Sequence, residues 1–395
     1  MVLLDRFYAV VCCALFCASL PLSGQNTGQD AVVEFAPGSG GVATVAASGG
    51  LNLKVILNGH GPFDGVFDTG SINLMPSTLA KRLGLKTEGN VTMSAMGGNV
   101  PAQFAEVDSV QIGGVTLHHQ RFVVFDPPPF TQGQDFIMIG DSWLKDLVIT
   151  VDFEKQQITF ADPQQFHAVP GDARVPVRQD PLLMLLAEGN IDGITGTLMI
   201  DTGNMYSLLL NAPFVAQHGL VKRYGATIHG YAGEGWGGAD SGYYTRVGVV
   251  QMGQARIERP IAVLLDDTKG AGISSVAGNV GLRLLRKFTL VFDCPHGAMY
   301  LKKNRDSDAP DIFNRAGLAL DPDPEKLAVK MIVPGSPAAE AGLAVDDVIT
   351  QIDDRTPTDE TLESAFAQPA GTRVRLRVDH AGKTRDVVLK LTEVL

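Results

Sequence analysis

Apolar and polar residues alternate with a period of two along much of this chain, and glycine-containing turns interrupt the alternation. The stretches 105–125 and 243–265 each predict strands on either side of a glycine turn. Such alternation is typical of strands with one buried face. Short helices are predicted at 76–83 and 212–218, each just after an Asp-Thr-Gly strand. The fold class is therefore expected to be mainly β.

One stretch of sequence, together with its surroundings, occurs twice in the chain. The stretch "VFDTGSINLM" begins at Val66, and "MIDTGNMYSLL" begins at Met199. Each follows an apolar strand, and each precedes a second shared stretch that contains Gly140 in the first copy and Gly281 in the second. Because order and spacing agree, we expect a duplicated unit of domain size.

The end of the chain has a different pattern. A polar, proline-containing stretch, "RDSDAPD", precedes a strand, the turn "PGSPA", a short helix that ends at Gly342 and a second apolar strand. These features predict a separate C-terminal module at 306–395.

The net charge and the N-terminal sequence restrict the partners and the cellular location that we expect. The net charge of −11 argues against nucleic acid or an anionic membrane surface as partner. Residues 1–24 contain one arginine, an apolar run and then small residues, the pattern of a secretory signal peptide, with an uncleaved anchor as the alternative. Residues 25–50 are interpreted as an N-terminal strand and a Gly/Ala-rich linker or short propeptide. We expect a periplasmic or secreted bacterial protein with no membrane span after signal removal.

Cysteine usage agrees with that setting. Three of the four cysteines lie in the predicted signal peptide, and Cys294 alone remains. The mature chain therefore has no internal disulfide. Export without disulfides fits a bacterial envelope better than a eukaryotic secretory route.

A lone Asp-Thr-Gly sequence is an ordinary β-turn signal, but a matched pair has a chemical use. Two carboxylates a few ångströms apart share one proton, so one can take a proton from water while the other polarises a peptide carbonyl. Glycine permits a tight turn, and the threonine hydroxyl can bond across to the opposite loop. The structural alternative is that both loops merely turn the chain.

The two copies resemble the pepsin/retropepsin-type aspartic proteases in their two-lobed, single-chain form. The resemblance rests on "FDTGS" with "IMIGDSWL" in the first copy and "IDTGN" with "GNVGLRLL" in the second. It implies two pseudo-symmetric β-barrel lobes, at 51–168 and 169–305. It also implies a catalytic dyad of Asp68 and Asp201, supported by Thr69, Gly70, Ser71, Thr202, Gly203 and Asn204.

One position departs from the family pattern. Ser, Thr or Ala usually follows Asp-Thr-Gly in this family, and Ser71 fits, but the second copy has Asn204. A side-chain amide is able to donate a hydrogen bond to the Asp carboxylate. The alternative is a lobe with a differently tuned or degenerate acid.

Family members cover the site with a glycine-bearing hairpin, called a flap. Two stretches are candidates, "SAMGGNV" at 94–100 and "GYAGEGWGG" at 230–238, and ordinary surface turns are the alternative. The candidate substrate-binding residues are Met96, Gly97, Gly98, Tyr231, Gly233 and Trp236.

The C-terminal module resembles a PDZ domain of the bacterial envelope-protease type. The resemblance rests on "GLAL" at 317–320 and on the stretch 329–354. It implies an α+β domain in which Gly317, Leu318 and Ala319 form the loop that binds a peptide carboxylate, while the peptide adds as a strand. Ala319 stands where a second glycine is common, and a PDZ domain that only caps the protease is the alternative.

Together these features predict an exported aspartic endopeptidase with a polypeptide substrate and a peptide or protein ligand at the PDZ domain. Water is the nucleophile, so we expect no metal ion and no organic cofactor. The two internal lobes make a monomer sufficient. The rival hypotheses are a catalytically silent peptide-binding protein on a protease fold and a structural envelope protein.

Overall fold

The fold is analysed on a computed structural model that describes residues 14–15, 32–126, 136–266, 275–321 and 327–395. Strands make up 51% of it, helices are few, and a closed six-strand barrel is present. The mainly β prediction is therefore confirmed. Within the described ranges, every helix is too short or too polar to cross a membrane. The predicted signal peptide, residues 1–24, lies outside the described residues except for Ala14–Leu15.

The first lobe contains eleven strands and one α-helix in its described part. Its strand β8 alternates buried and exposed positions over most of its length, which is the period-two pattern of the sequence. The elements are β2 (Val33–Phe35), β3 (Val42–Ala46), β4 (Asn52–Leu57), β5 (His60–Phe67), β6 (Leu74–Pro76), α1 (Ser77–Arg82), β7 (Thr87–Ala95), β8 (Gly98–Ile112), β9 (Val115–Phe125), β10 (Ile137–Ile139), β11 (Val148–Asp152) and β12 (Gln157–Ala161). A two-residue strand, β1 (Ala14–Leu15), pairs with β7.

The second lobe repeats the order of the first. Its elements are β13 (Ala173–Gln179), β14 (Leu185–Ile191), β15 (Ile194–Asp201), β16 (Leu208–Leu210), α2 (Ala212–Gln217), α3 (Leu220–Tyr224), β17 (Ile228–Gly235), β18 (Gly238–Arg246), β19 (Val249–Met252), β20 (Ala255–Glu258), β21 (Ile261–Leu265), β22 (Gly278–Gly281), α4 (Leu282–Leu285), β23 (Phe288–Asp293) and β24 (Ala298–Lys303). Helices α1 and α2 confirm the two short helices predicted from the sequence.

Six strands join the lobes in one sheet, in the order β3–β12–β11–β23–β24–β13. The central pair, β11 and β23, is antiparallel and contains equivalent strands of the two copies, so the sheet is symmetric about it. Strand β3 falls within the Gly/Ala-rich stretch 25–50, which therefore supplies the equivalent of β13 to this sheet. The domain boundaries drawn from the sequence stay predictions.

One apolar core runs through both lobes. It combines buried residues from the start of the first lobe to the end of the second, and the rings of Phe67 and Phe292 meet edge to face at 6.2 Å between centroids. Strands β10 and β22, which pair with β5 and β15, are buried along their whole length. Each strand that carries an Asp-Thr-Gly loop is therefore supported by a buried neighbour.

The C-terminal domain has a separate core and consists of β25 (Leu318–Leu320), β26 (Val329–Ile332), α5 (Pro337–Glu340), β27 (Val348–Ile352), α6 (Asp359–Phe366), β28 (Arg373–His380) and β29 (Lys383–Lys390). It packs against the second lobe. Met331 lies so close to Gly230 on β17 that a Cβ there would be 2.4 Å from the Met331 sulfur. Glu363 on α6 pairs with Arg286 at 3.3 Å.

The linker to this domain is also tied to the second lobe. Arg283 pairs with the buried Asp311 at 3.2 Å and donates to the Ile312 carbonyl at 2.6 Å. The second oxygen of Asp311 accepts the Ile261 N–H at 2.8 Å. Asp311 therefore fixes the path of the chain between lobe and domain.

We expect Asp311→Ala to loosen this attachment, because it leaves the Arg283 guanidinium and the buried Ile261 N–H without their carboxylate. A loss of about 2 kcal/mol corresponds to trypsin cleavage at Arg305 or Arg315 that is about 30-fold faster. Asp308→Ala is the control, since its ion pair with Lys303 is exposed and contributes little. Equal cleavage rates in both variants would contradict the assignment.

Candidate active site

The two Asp-Thr-Gly loops meet at the centre of the two-lobed unit. Asp68 directly follows β5, and Asp201 ends β15. Strand β10 runs parallel to β5, and β22 runs parallel to β15 in the equivalent register. Each loop is thus clamped between its own strand and the crossing strand that follows later in the chain.

Hydrogen bonds between the threonines hold the loops together. The Thr69 hydroxyl donates to the Ile200 carbonyl at 2.8 Å and accepts the Thr202 N–H at 3.1 Å. The Thr202 hydroxyl donates to the Phe67 carbonyl at 3.3 Å and accepts the Thr69 N–H at 3.0 Å. Both threonines are buried, so these four bonds are made away from water.

The two glycines allow each carboxylate to approach the opposite loop. A Cβ on Gly70 would lie 2.1 Å from Oδ1 of Asp201, and a Cβ on Gly203 would lie 2.3 Å from Oδ2 of Asp68. No side chain larger than hydrogen fits at either place. The carboxylates of the two lobes therefore share one buried space, in which both are 0% exposed.

This arrangement disfavours a double negative charge. Burial, and then the negative charge of Asp201, raises the pKa of Asp68 well above its usual value. The Gly70 N–H, 2.8 Å from Oδ1 of Asp68, and then the Gly203 N–H oppose the shift. We therefore expect the pair to hold one proton over a wide range of pH.

A third buried carboxyl, Asp141, lies near the pair and was missed in the sequence analysis. Burial, and then the charge of Asp68, raises its pKa well above the usual value. One of its oxygens accepts the Leu185 N–H at 3.0 Å. The sequence does mark this residue, because the two copies differ there: Asp141 follows Gly140, whereas Leu282 follows Gly281.

The residues that follow the two motifs do not act on the carboxylates through their side chains. The Ser71 hydroxyl donates to the Ile72 carbonyl at 2.9 Å. The Asn204 side-chain oxygen accepts the Tyr206 N–H at 2.9 Å, so only the backbone N–H of Asn204 bonds to Asp201, at 3.0 Å. The suggestion that the Asn204 amide donates to the carboxylate is therefore wrong.

A different amide makes that bond. Asn279 on β22 donates from Nδ2 to Oδ2 of Asp201 at 3.1 Å. It is a polar residue within the buried strand "GNVG", where the first copy has Met138. This difference between the copies is the feature of the sequence that could have pointed to Asn279.

The two candidate hairpins meet tip to tip. Met96-Gly97-Gly98 ends β7 and begins β8, and Trp236-Gly237-Gly238 joins β17 to β18 in the same way. The Gly237 N–H donates to the Met96 carbonyl at 3.0 Å, and the Gly97 N–H donates to Asp240 at 3.1 Å. A Cβ on Gly97 would lie 2.0 Å from the Gly238 carbonyl oxygen, so this contact requires glycine.

The two hairpin tips exchange apolar contacts with the opposite lobes. Met96 of the first lobe belongs to a buried cluster otherwise made of second-lobe and C-terminal-domain residues. Trp236 of the second lobe belongs to a buried cluster otherwise made of first-lobe residues. Its ring stacks on Phe136 at 5.2 Å and meets Phe125 edge to face at 5.1 Å. The tips are therefore buried against the opposite lobes and are not ordinary surface turns.

Tyr231 and Gly233 lie further from the tip. Gly233, with φ of +106°, sits where the β17–β18 register shifts between Tyr231 and Glu234. The Tyr231 carbonyl accepts the Tyr244 hydroxyl at 2.7 Å, and its ring packs in the cluster that includes Met331 of the C-terminal domain. These two residues shape the hairpin and its contact with the C-terminal domain.

Comparison with known proteins agrees with this geometry. A family model described as "Aspartyl protease" matches residues 53–153, and a "PDZ domain" model matches residues 329–379. The chain carries a retropepsin-like aspartyl protease domain and a PDZ domain. The protease match includes the first Asp-Thr-Gly loop, and the second lobe repeats the strand order around the other loop.

Solved structures were also compared. The aspartic proteinase from Irpex lacteus is 13% identical with a TM-score of 0.44, over 68% of this chain and 99% of that chain. An aminopeptidase N family protein from Idiomarina loihiensis is 20% identical with a TM-score of 0.19, over 21% of this chain and 14% of that chain. No curated protein matches the chain.

In the PDZ domain, the predicted carboxylate-binding residues stand at the start of β25. Gly317 has φ of +71°, and its carbonyl accepts the Val333 N–H at 2.8 Å and the Ser336 hydroxyl at 3.2 Å. Leu318 is buried in the domain core, and Ala319 pairs with Met331. Within the described residues β25 has one strand neighbour, β26.

Metal-ligating residue types do not cluster in the described part of the chain. No group of three or more His, Cys, Asp or Glu side chains there is arranged to hold a metal ion. Burial raises the pKa of the Cys294 thiol, which keeps it in the neutral form.

We expect Thr69→Val to destabilise the protease lobes by about 2–4 kcal/mol, because it leaves the Ile200 carbonyl and the Thr202 N–H buried without partners. Thr69→Ser keeps the hydroxyl and should cost only about 1 kcal/mol for the lost methyl group. Urea unfolding of both variants measures the difference. Equal losses in the two variants would show that the cross-loop bonds do not stabilise the lobes.

Proposed function

We propose that this protein is an exported aspartic endopeptidase whose dyad is Asp68 and Asp201. The observation that carries the proposal is the pair of buried carboxylates, brought together from two repeated lobes by reciprocal threonine bonds. Export rests on the signal-like pattern of residues 1–24, and it places the protein in the periplasm or outside the cell.

The dyad with one proton supports hydrolysis by water. The ionised carboxylate takes a proton from a water molecule as the water oxygen attacks the peptide carbonyl carbon. The protonated carboxyl gives its proton to the carbonyl oxygen, which forms a gem-diol. Collapse of the gem-diol breaks the C–N bond, the amine nitrogen takes a proton, and the dyad is left with one proton as before.

The closed hairpins support an extended polypeptide as substrate. Substrate entry requires the Met96 and Trp236 tips to leave the opposite lobes, and their apolar clusters then become free for substrate side chains. Closure over a bound peptide keeps bulk water from the dyad.

The PDZ domain is proposed to bind the ends or extended segments of substrate or partner peptides at β25. Its position supports a link to proteolysis, because β26 packs against β17 of the second-lobe hairpin at Gly230. A PDZ domain that only caps the protease would lack such binding.

We expect the purified mature protein to cleave unfolded casein, with a bell-shaped dependence on pH. Activity should fall at low pH as both carboxyls become protonated. It should also fall as pH rises through the raised pKa of Asp68, because the remaining proton is then lost. Each of Asp68→Asn and Asp201→Asn should lower kcat/KM by about 10²–10⁴-fold or more.

The control is Asp108→Asn, since Asp108 is exposed on β8, far along the strand from the hairpin tip. The endopeptidase proposal is supported if wild type and Asp108→Asn cleave casein, both dyad variants lose that cleavage, and pepstatin inhibits it. Peptide binding without cleavage at any pH would instead identify a catalytically silent peptide-binding protein. Absence of both activities would favour a structural envelope protein.

A further inference from the structure

The two halves of the dyad differ at one structurally equivalent position. On β10 of the first lobe, Met138 pairs with the residue two before Asp68. On β22 of the second lobe, Asn279 pairs with the residue two before Asp201. Asn279 is 2% exposed, and its amide reaches Oδ2 of Asp201 at 3.1 Å. A thioether cannot make the equivalent bond to Asp68.

The two carboxylates therefore accept different numbers of hydrogen bonds. Oδ1 of Asp201 accepts the N–H groups of Gly203 and Asn204, both at 3.0 Å, and Oδ2 accepts the Asn279 amide. Oδ1 of Asp68 accepts the Gly70 N–H at 2.8 Å, and the nearby Gly203 N–H also favours its ionised form, but no side-chain amide reaches Asp68, and its Oδ2 makes no hydrogen bond of ordinary geometry within the described residues. Donors aimed at a carboxylate favour its ionised form, so the asymmetry favours a charge on Asp201.

The charged surroundings of Asp201 do not reverse this preference. Strand β15, which ends at Asp201, pairs with β14 and β22. Strand β22 has no titratable side chain, and the one titratable side chain of β14 is the exposed acid Glu188, which accepts the Thr197 hydroxyl at 2.9 Å. The charges that act on Asp68 and Asp141 come from Asp201, Asp68 and Asp180, which are all acids. These acids disfavour a second negative charge in the dyad, so a single charge belongs on the carboxylate that accepts the most hydrogen bonds.

We propose that Asn279 is a positioning residue that holds Asp201 as the ionised member of the dyad, so that Asp68 carries the proton. This inference rests on the proposed function and assigns its two roles. Asp201 takes the proton from the attacking water, and Asp68 donates its proton to the carbonyl oxygen of the scissile bond. Asn279 supplies from β22 the bond that the Asn204 side chain, turned toward Tyr206, does not make.

The pH dependence of kcat/KM separates this role from a merely structural one. Ionised Asp201 is present in the singly and the doubly ionised dyad, but not in the fully protonated one. Asn279→Leu, which keeps the volume and removes the donor, should therefore move the acidic limb toward neutral by on the order of one pH unit and leave the alkaline limb in place. Met138→Leu at the equivalent first-lobe position is the matched control and should leave both limbs in place.

An acidic limb that stays in place in folded, active Asn279→Leu would overturn the proposal, and so would movement of the alkaline limb alone. Movement of both limbs in Met138→Leu would show that packing, and not the amide, sets the profile. Wild-type protein that cleaves no substrate is a failure of the proposed function and is recognised as such before any variant is compared.

A second measurement needs neither turnover nor a folded variant at position 279. The carboxyl ¹³C resonances of aspartate-labelled wild-type protein, assigned with Asp68→Asn and Asp201→Asn, report each carboxyl separately. We expect Asp201 to ionise first as pH rises and Asp68 to ionise last. The opposite order would overturn the assignment even in a protein without protease activity.

Discussion

The structure depends on the close approach of two acidic groups, Asp68 and Asp201, in one buried space. Two ionised carboxylates would repel each other there, so the surrounding chain must hold them in place and the pair must keep one proton. Hydrogen bonds of Thr69 and Thr202 hold the two loops together. Gly70 and Gly203 have no side chain, so each carboxylate can approach the opposite loop. The joining sheet and the common core then fix both loops from behind.

The same duplication builds two hairpins that meet tip to tip. Each lobe extends one hairpin, and each tip places its large apolar residue, Met96 or Trp236, in the opposite lobe. The closed state is thus a mutual contact, and opening one tip exposes apolar surface in both lobes. The PDZ domain packs on the outer strand of the second-lobe hairpin, so its contacts and those of the flap are adjoining parts of one surface.

Much of this arrangement could be predicted because it follows from repetition in the sequence. The fold could be predicted from the repeated Asp-Thr-Gly loops and from the later "IMIG" and "GNVG" strands. The two hairpins could be recognised by their glycines. What the sequence could not give was the partner of each polar atom. Asn204 and Asn279 are both amides near the second motif, and only the backbone path decides that Asn279 reaches Asp201. Likewise, Asp141 becomes notable only when its burial next to Asp68 is known.

The most direct test of the central claim is a proton-binding titration of wild-type protein against the double variant Asp68→Asn, Asp201→Asn. If the two carboxyls form one dyad, the difference curve contains two well-separated steps, and the pair holds a single proton between them. Two protons released together at the ordinary pKa of aspartic acid would show that the carboxyls titrate independently, and that the two lobes do not form a shared catalytic site.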